Sequence, residues 1–154
     1  MYPIILATHS LTRWLILISL LYAIYRSYKG WISKKSFSKI DDFSLNLTVI
    51  IAYIQLVEGL WLYFTSPIIH YFLHYFKEAV TQNEIRFFGM EHSLVMITGI
   101  VIIVIGAAKT KGKKTGIEKF KTMAVWFTIA LLLILSSVPW AFSPYVSRPY
   151  FRAF

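Results

Sequence analysis

The sequence predicts an all-α membrane protein, a bundle of four transmembrane helices with an additional amphipathic helix at the membrane interface between helices 2 and 3. The composition is the first observation: 57% of the 154 residues are hydrophobic and only 15% are charged, which is too apolar for a soluble domain. Four apolar runs are also long enough to cross the hydrocarbon core as helices. Finally, the basic residues cluster in the short connections, where they indicate membrane topology rather than nucleic-acid binding.

The chain is predicted to form one membrane domain, residues 1–154, with spans at about residues 3–25, 43–65, 82–108 and 122–142. Pro3 suits a first helical turn because its missing N–H has no helical partner there. No basic segment precedes this run, so we expect a retained helix rather than a signal peptide. Thr81 and Glu84 have the spacing of a capping box, which predicts the start of the third span.

Residues 67–80 predict the interfacial helix, because polar and apolar residues alternate there at helical spacing. The apolar side carries Ile69, Phe72, Leu73, Phe76 and Val80, and the polar side carries His70, His74, Lys77 and Glu78. His70 and His74 also have metal-ligand spacing. With no third ligand nearby, the sequence disfavours a copper or zinc site there.

Two basic connections, residues 26–42 and 109–121, hold eleven of the sixteen lysines and arginines. The positive-inside rule places both connections in the cytoplasm and both termini on the outer side of the membrane. The start of the first span, the end of the second and the start of the third then lie at the same outer end. Polar residues in these three segments are therefore expected to meet.

Ionisable side chains inside these segments cost several kcal/mol unless they face protein, a cofactor or water. At about 1.5 Å of rise per residue, they lie at similar depths below the outer surface. The expected cluster comprises His9, Arg13, Gln55, Glu58, Glu91 and His92. We expect Arg13 to be the counter-charge of one or both glutamates.

Two histidines on different helices at equal depth suit a six-coordinate b-type haem, which needs an imidazole on each face. His9 and His92 are the candidate ligands of the haem iron. A structural or proton-handling role for the same residues is the alternative. Gly99 lies on the His92 face and would let a flat macrocycle, or another helix, approach the backbone. The absence of cysteine excludes disulfides, covalently attached haem and thiolate-ligated clusters.

These motifs together resemble a family of small four-helix bacterial inner-membrane proteins, frequent in Bacteroidota, that are labelled cytochrome b-like. The resemblance covers most of the chain and is carried by His9-Ser10-x-x-Arg13-Trp14, Gln55, Tyr63-Phe64-x-Ser66-Pro67, Arg86-Phe87, Glu91-His92 and Pro139-Trp140. It implies a bacterial inner-membrane location, haem b bound by His9 and His92, and electron exchange with quinone. The chain would then be an electron-transfer protein rather than a stand-alone enzyme.

Three functions are therefore compatible with the sequence. The first is a b-type cytochrome in which Arg13, Glu58 and Glu91 tune the haem potential or pass protons. The second is a non-redox small subunit that stabilises or assembles a larger membrane complex. The third is a proton or small-molecule transporter, disfavoured because no polar residues line the inner half of spans 3 and 4, although a homo-oligomer could supply the missing path.

Overall fold

The computed structural model describes residues 1–143, 146 and 148, and all regular structure in this part of the chain is helical. The elements are α1 (Tyr2–Ile32), α2 (Lys39–Thr65), α3 (Pro67–His74), α4 (Phe76–Ala79), α5 (Asn83–Arg86), a π-helical turn (Phe87–Glu91), α6 (His92–Lys111) and α7 (Gly116–Ser137). Four helical segments are long and apolar enough to span a membrane, at Tyr2–Ile32, Lys39–Thr65, Asn83–Lys111 and Gly116–Ser137. The all-helical, four-span prediction is confirmed. The identity of the membrane and the side of the termini stay predictions.

The helix ends differ from the prediction at the two basic connections, because charged residues there belong to helical turns. α1 continues through Lys29 to Ile32. α2 begins earlier than expected, at Lys39, where Ser38 and Asp41 form a capping box. A second capping box joins Thr115 to Glu118 and begins α7 at Gly116.

The capping box predicted at Thr81 and Glu84 is not formed. The Thr81 hydroxyl donates instead to the Glu78 carbonyl at 2.7 Å, and the Glu84 carboxylate pairs with Arg148. The third membrane-spanning segment begins with α5 at Asn83 without a side-chain cap.

The predicted interfacial helix over residues 67–80 is broken at Tyr75 into α3 and α4. Ile69 and Phe72 are buried, as their side of the pattern predicts, but Leu73 is 58% exposed. A Cβ atom on Gly89 would lie 2.4 Å from Cγ of Phe72, so α3 packs closely on the π-helical turn. A position at the membrane interface stays a prediction.

The bundle is held together mainly by α7, which packs against both α1 and α6, while α1 also packs along α2. The contact between α2 and α6 is less extensive. Buried side chains from the four long helices form the core, including Leu20, Leu45, Ile103, Met123 and Phe127. A Cβ atom on Gly106 would lie only 2.5 Å from Cβ of Trp126. The missing side chain at Gly106 therefore lets α6 and α7 pack closely.

Candidate functional site

A cavity of about 860 Å³ lies at the end of the bundle where α1 begins, α2 ends and α6 begins. Four of the predicted site residues line it: His9, Arg13, Gln55 and His92. Most of the remaining lining is apolar and includes Met96. The volume falls within the range of roughly 300–1,000 Å³ that is typical of small-molecule and cofactor sites. The structure thus brings together polar residues from three separate helices.

His92 is positioned from its N-terminal side by the π-helical turn Phe87–Glu91. In such a turn the hydrogen bonds run from residue i+5 to residue i, and the His92 N–H donates accordingly to the Phe87 carbonyl. The Ser93 hydroxyl donates to the Phe88 carbonyl at 2.8 Å. Tyr63 of α2 donates to the Gly89 carbonyl at 3.1 Å, so the turn is also tied to the neighbouring helix.

The imidazole of His92 is oriented by the end of α7. Pro139 has no N–H to continue the helix, and Val138 before it is extended. Carbonyls of the last turn therefore accept from side chains: Trp140 Nε1 donates to Leu135 at 3.0 Å, and His92 Nδ1 donates to Ser137 at 2.8 Å. A carbonyl can only accept, so a hydrogen lies on Nδ1, and in the neutral form of the ring the lone pair is then on Nε2.

His9 lies against α2 at Gly59, where a Cβ would come within 3.3 Å of the ring carbon Cε1. The Gln55 amide nitrogen is 3.2 Å from Nδ1 of His9 and 3.1 Å from Nε2. His9 and His92 both line the cavity. The two rings therefore share one cavity and approach it from different helices.

Thr12 is a polar residue of the cluster that the sequence analysis missed. Its hydroxyl lies 2.5 Å from Oε2 of Glu58 and within hydrogen-bonding distance of Oε1 of Gln55. A hydroxyl has one proton, so it donates to one of these oxygens at a time. The available signal was its spacing of three residues from His9, which places both side chains on similar faces of α1.

The structure places Glu91 apart from the other expected members of the cluster. Its carboxylate pairs with Arg86, with 2.7 Å between Nε and Oε1, and both side chains are substantially exposed. The reason is the π-helical turn, in which residues five apart become neighbours, so the α-helical wheel misplaces Glu91. Glu58 is held by Thr12, and neither glutamate is among the described residues that line the cavity.

Arg13 lines the cavity. Its guanidinium donates to the Ser10 hydroxyl at 3.4 Å, and its Cζ atom lies 5.5 Å from the Trp14 ring centroid. Its pairing with Glu58 stays a prediction. Gly99 does not face the cavity. A Cβ there would lie 3.0 Å from Cγ1 of Ile134 on α7. Gly99 therefore lets another helix, rather than a macrocycle, approach the backbone.

His70 and His74 lie outside the cavity. Their exposed rings stack with 4.0 Å between centroids, and Nδ1 of His74 is bonded to the His70 carbonyl at 2.8 Å. Within residues 1–143 and at positions 146 and 148, no group of three or more His, Asp or Glu side chains is arranged to hold a metal ion.

Comparison of the chain with protein-family models, with curated proteins and with solved structures finds no match.

Proposed function

We propose that the protein is a membrane-bound b-type cytochrome in which His9 and His92 hold one haem b inside the cavity. The observation that supports this best is the hydrogen bond from His92 Nδ1 to the Ser137 carbonyl. Metal-ligating histidines commonly donate one ring N–H to a carbonyl, which fixes the ring and leaves the other nitrogen for the metal. In His92 the bonded nitrogen is Nδ1, so Nε2 is the nitrogen left for the metal.

The remaining lining residues also suit a haem. Two imidazoles from different helices face one largely apolar cavity of about 860 Å³. Arg13 would meet a haem carboxylate, because a guanidinium donates to carboxylate oxygens. When bound, the haem supplies a one-electron redox centre whose potential depends on its axial ligands, its burial and nearby charge.

Ligation by Nε2 of His9 requires a proton on its Nδ1 and therefore an acceptor beside that atom. Exchanging the oxygen and nitrogen of the Gln55 amide, whose positions are a matter of assignment, provides this acceptor. The exchange gives up the hydrogen bond that the amide nitrogen donates to the His9 carbonyl at 3.2 Å. The Thr12 hydroxyl then accepts from the Gln55 amide nitrogen and donates to Glu58, which lies 2.5 Å away. This arrangement gives Thr12 one donor and one acceptor partner in the network.

A lipid-soluble electron partner such as a quinone suits the surroundings of the cavity. Phe64 of α2 and Leu94 of α6 line the cavity and are 80% and 60% exposed, respectively. Both side chains are apolar, so in a membrane the opening between α2 and α6 would face hydrocarbon. We further propose a bacterial inner-membrane location with both termini outside, supported by the lysine-rich connections.

The test is a reduced-minus-oxidised absorbance spectrum of protein that was produced with an ample supply of haem and purified in detergent. We expect b-type haem bands in the wild type and their loss in His9→Ala and in His92→Ala. The matched controls are His70→Ala and His74→Ala, which remove exposed imidazoles outside the cavity and should leave the bands unchanged. Absence of b-type bands in the wild type would refute the proposal.

A second function, a non-redox subunit of a larger membrane complex, is favoured by one observation. Thr12, Gln55 and Glu58 already form hydrogen bonds that join α1 to α2, which is what a purely structural polar cluster does. On this alternative the protein co-purifies with a stoichiometric partner, and the double variant His9→Ala/His92→Ala leaves the cellular phenotype intact.

A further inference from the structure

The end of the bundle opposite the cavity carries most of the positive charge. Residues 26–42 and 109–121, which comprise the two basic connections and the helix ends beside them, hold eleven of the sixteen basic residues but only three of the seven acidic ones. Basic residues next to a span attract anionic lipid. Charge alone does not define a binding site, but two of these lysines also contact aromatic rings of α1.

Three aromatic residues of α1, Tyr25, Tyr28 and Trp31, form what we call the aromatic strip. Lys29 donates to the Tyr25 hydroxyl at 3.1 Å, and its Nζ lies 5.4 Å from that ring centroid. Nζ of Lys121, from α7, lies 5.8 Å from the Trp31 centroid. Tyr28 stacks on Trp31 with 6.1 Å between centroids. The strip therefore has one ammonium group near each end.

The strip is held in place by contacts between α1 and α7. The Phe120 ring sits directly on Gly30, where a Cβ would be only 2.3 Å from the ring. The hydroxyls of Tyr28 and Thr128 are 3.3 Å apart. These contacts fix the position of the three rings relative to α7.

An apolar surface continues from the strip along the same face of α1. Ile18 and Leu21 precede Tyr25 and Tyr28 at helical spacing, and they are 62% and 54% exposed. Two ammonium groups therefore lie beside the aromatic rings, and an exposed apolar face follows the rings along the helix axis. A phospholipid has a matching division, because its charged headgroup is joined to an apolar acyl chain.

We propose that the aromatic strip, with Lys29 and Lys121, is a binding site for an anionic phospholipid, whose acyl chain lies along Ile18 and Leu21. A lipid suits this surface better than an acidic protein or nucleic acid, since the charged part is continuous with the membrane-spanning apolar face. The site lies at the other end of the bundle from the cavity and does not depend on bound haem.

The test uses the full chain in neutral detergent and measures binding of phosphatidylglycerol and phosphatidylcholine by native mass spectrometry. We expect the wild type to prefer phosphatidylglycerol. Each lysine removed should weaken its binding about fivefold, so Lys29→Gln/Lys121→Gln should weaken it about 25-fold. The control Lys35→Gln/Lys114→Gln makes the same change in net charge at exposed connection residues and should weaken binding clearly less, because these two ammonium groups lie outside the strip.

Equal losses in the two double variants would overturn the proposal, because they would indicate diffuse charge attraction. Equal binding of the two lipids by the wild type would overturn it as well. Trp31→Leu provides a separate test that retains every charge. It should reduce the preference for phosphatidylglycerol, since the ring that supports Lys121 is gone, and an unchanged preference would contradict the role of the strip.

Discussion

Replacing His92 by Phe tests the hydrogen bond that orients this side chain. The substitution keeps an aromatic ring beside Phe87 and Phe88, whose centroids lie 5.6 and 5.8 Å from that of His92. It removes the Nδ1–H that donates to the Ser137 carbonyl at 2.8 Å. A buried acceptor left without its donor costs about 1–3 kcal/mol, so we expect a loss of that size in the free energy of unfolding.

His74→Phe is the matched control. Nδ1 of His74 also donates to a carbonyl, that of His70, at 2.8 Å, but in an exposed setting. Water replaces the lost donor there, so the expected change is within about 0.5 kcal/mol. Both variants are compared with the wild type by unfolding in a denaturing detergent, in haem-free protein, so that ligation contributes nothing. Similar losses in the two variants, or no loss in His92→Phe, would refute the reasoning.

Two further substitutions test the surroundings of the cavity. Gly89→Ala places a Cβ 2.4 Å from Cγ of Phe72 and should cost about 1–3 kcal/mol of unfolding free energy through overpacking. Gly112→Ala is the control, because a Cβ there has no contact closer than 3.6 Å, and a cost as large as that of Gly89→Ala would contradict this explanation. Gln55→Leu removes the amide beside His9 and, on the proposed function, should weaken haem affinity by about 10–100-fold, as measured by haem titration. Unchanged affinity would exclude Gln55 as the partner of the ligand.

The fold and the meeting of the polar residues could be predicted because hydropathy and charge act over whole segments. Long apolar runs predict the spans, and the basic connections predict which helix ends lie together. Those two signals were sufficient to bring His9, Gln55 and His92 to one end of the bundle. The helix ends were less predictable, since lysines such as Lys29 extend from a helical turn along neighbouring rings rather than leave the helix.

The finer geometry depends on features that the sequence pattern does not reveal. The acceptor for His92 is a backbone carbonyl, and it is available only because Pro139 ends α7 on another part of the chain. The partner of Glu91 is Arg86, five residues away, which an α-helical wheel does not bring together. From the sequence, the missing side chain of Gly99 could make room for a cofactor or for a neighbouring helix. The position of Ile134 on α7 distinguishes these two roles.

The wide turn at Phe87–Glu91 gives the third membrane-spanning segment two angular registers. Residues at the start of the segment pack against α3, and residues after the turn pack against α7. Residues that share one face on an α-helical wheel of the whole segment therefore lie on different faces before and after the π-helical turn. The extra residue lets His92 keep its place against α7 while the chain before it turns to meet α3, so the two parts of the segment satisfy different neighbours without a break in the helix.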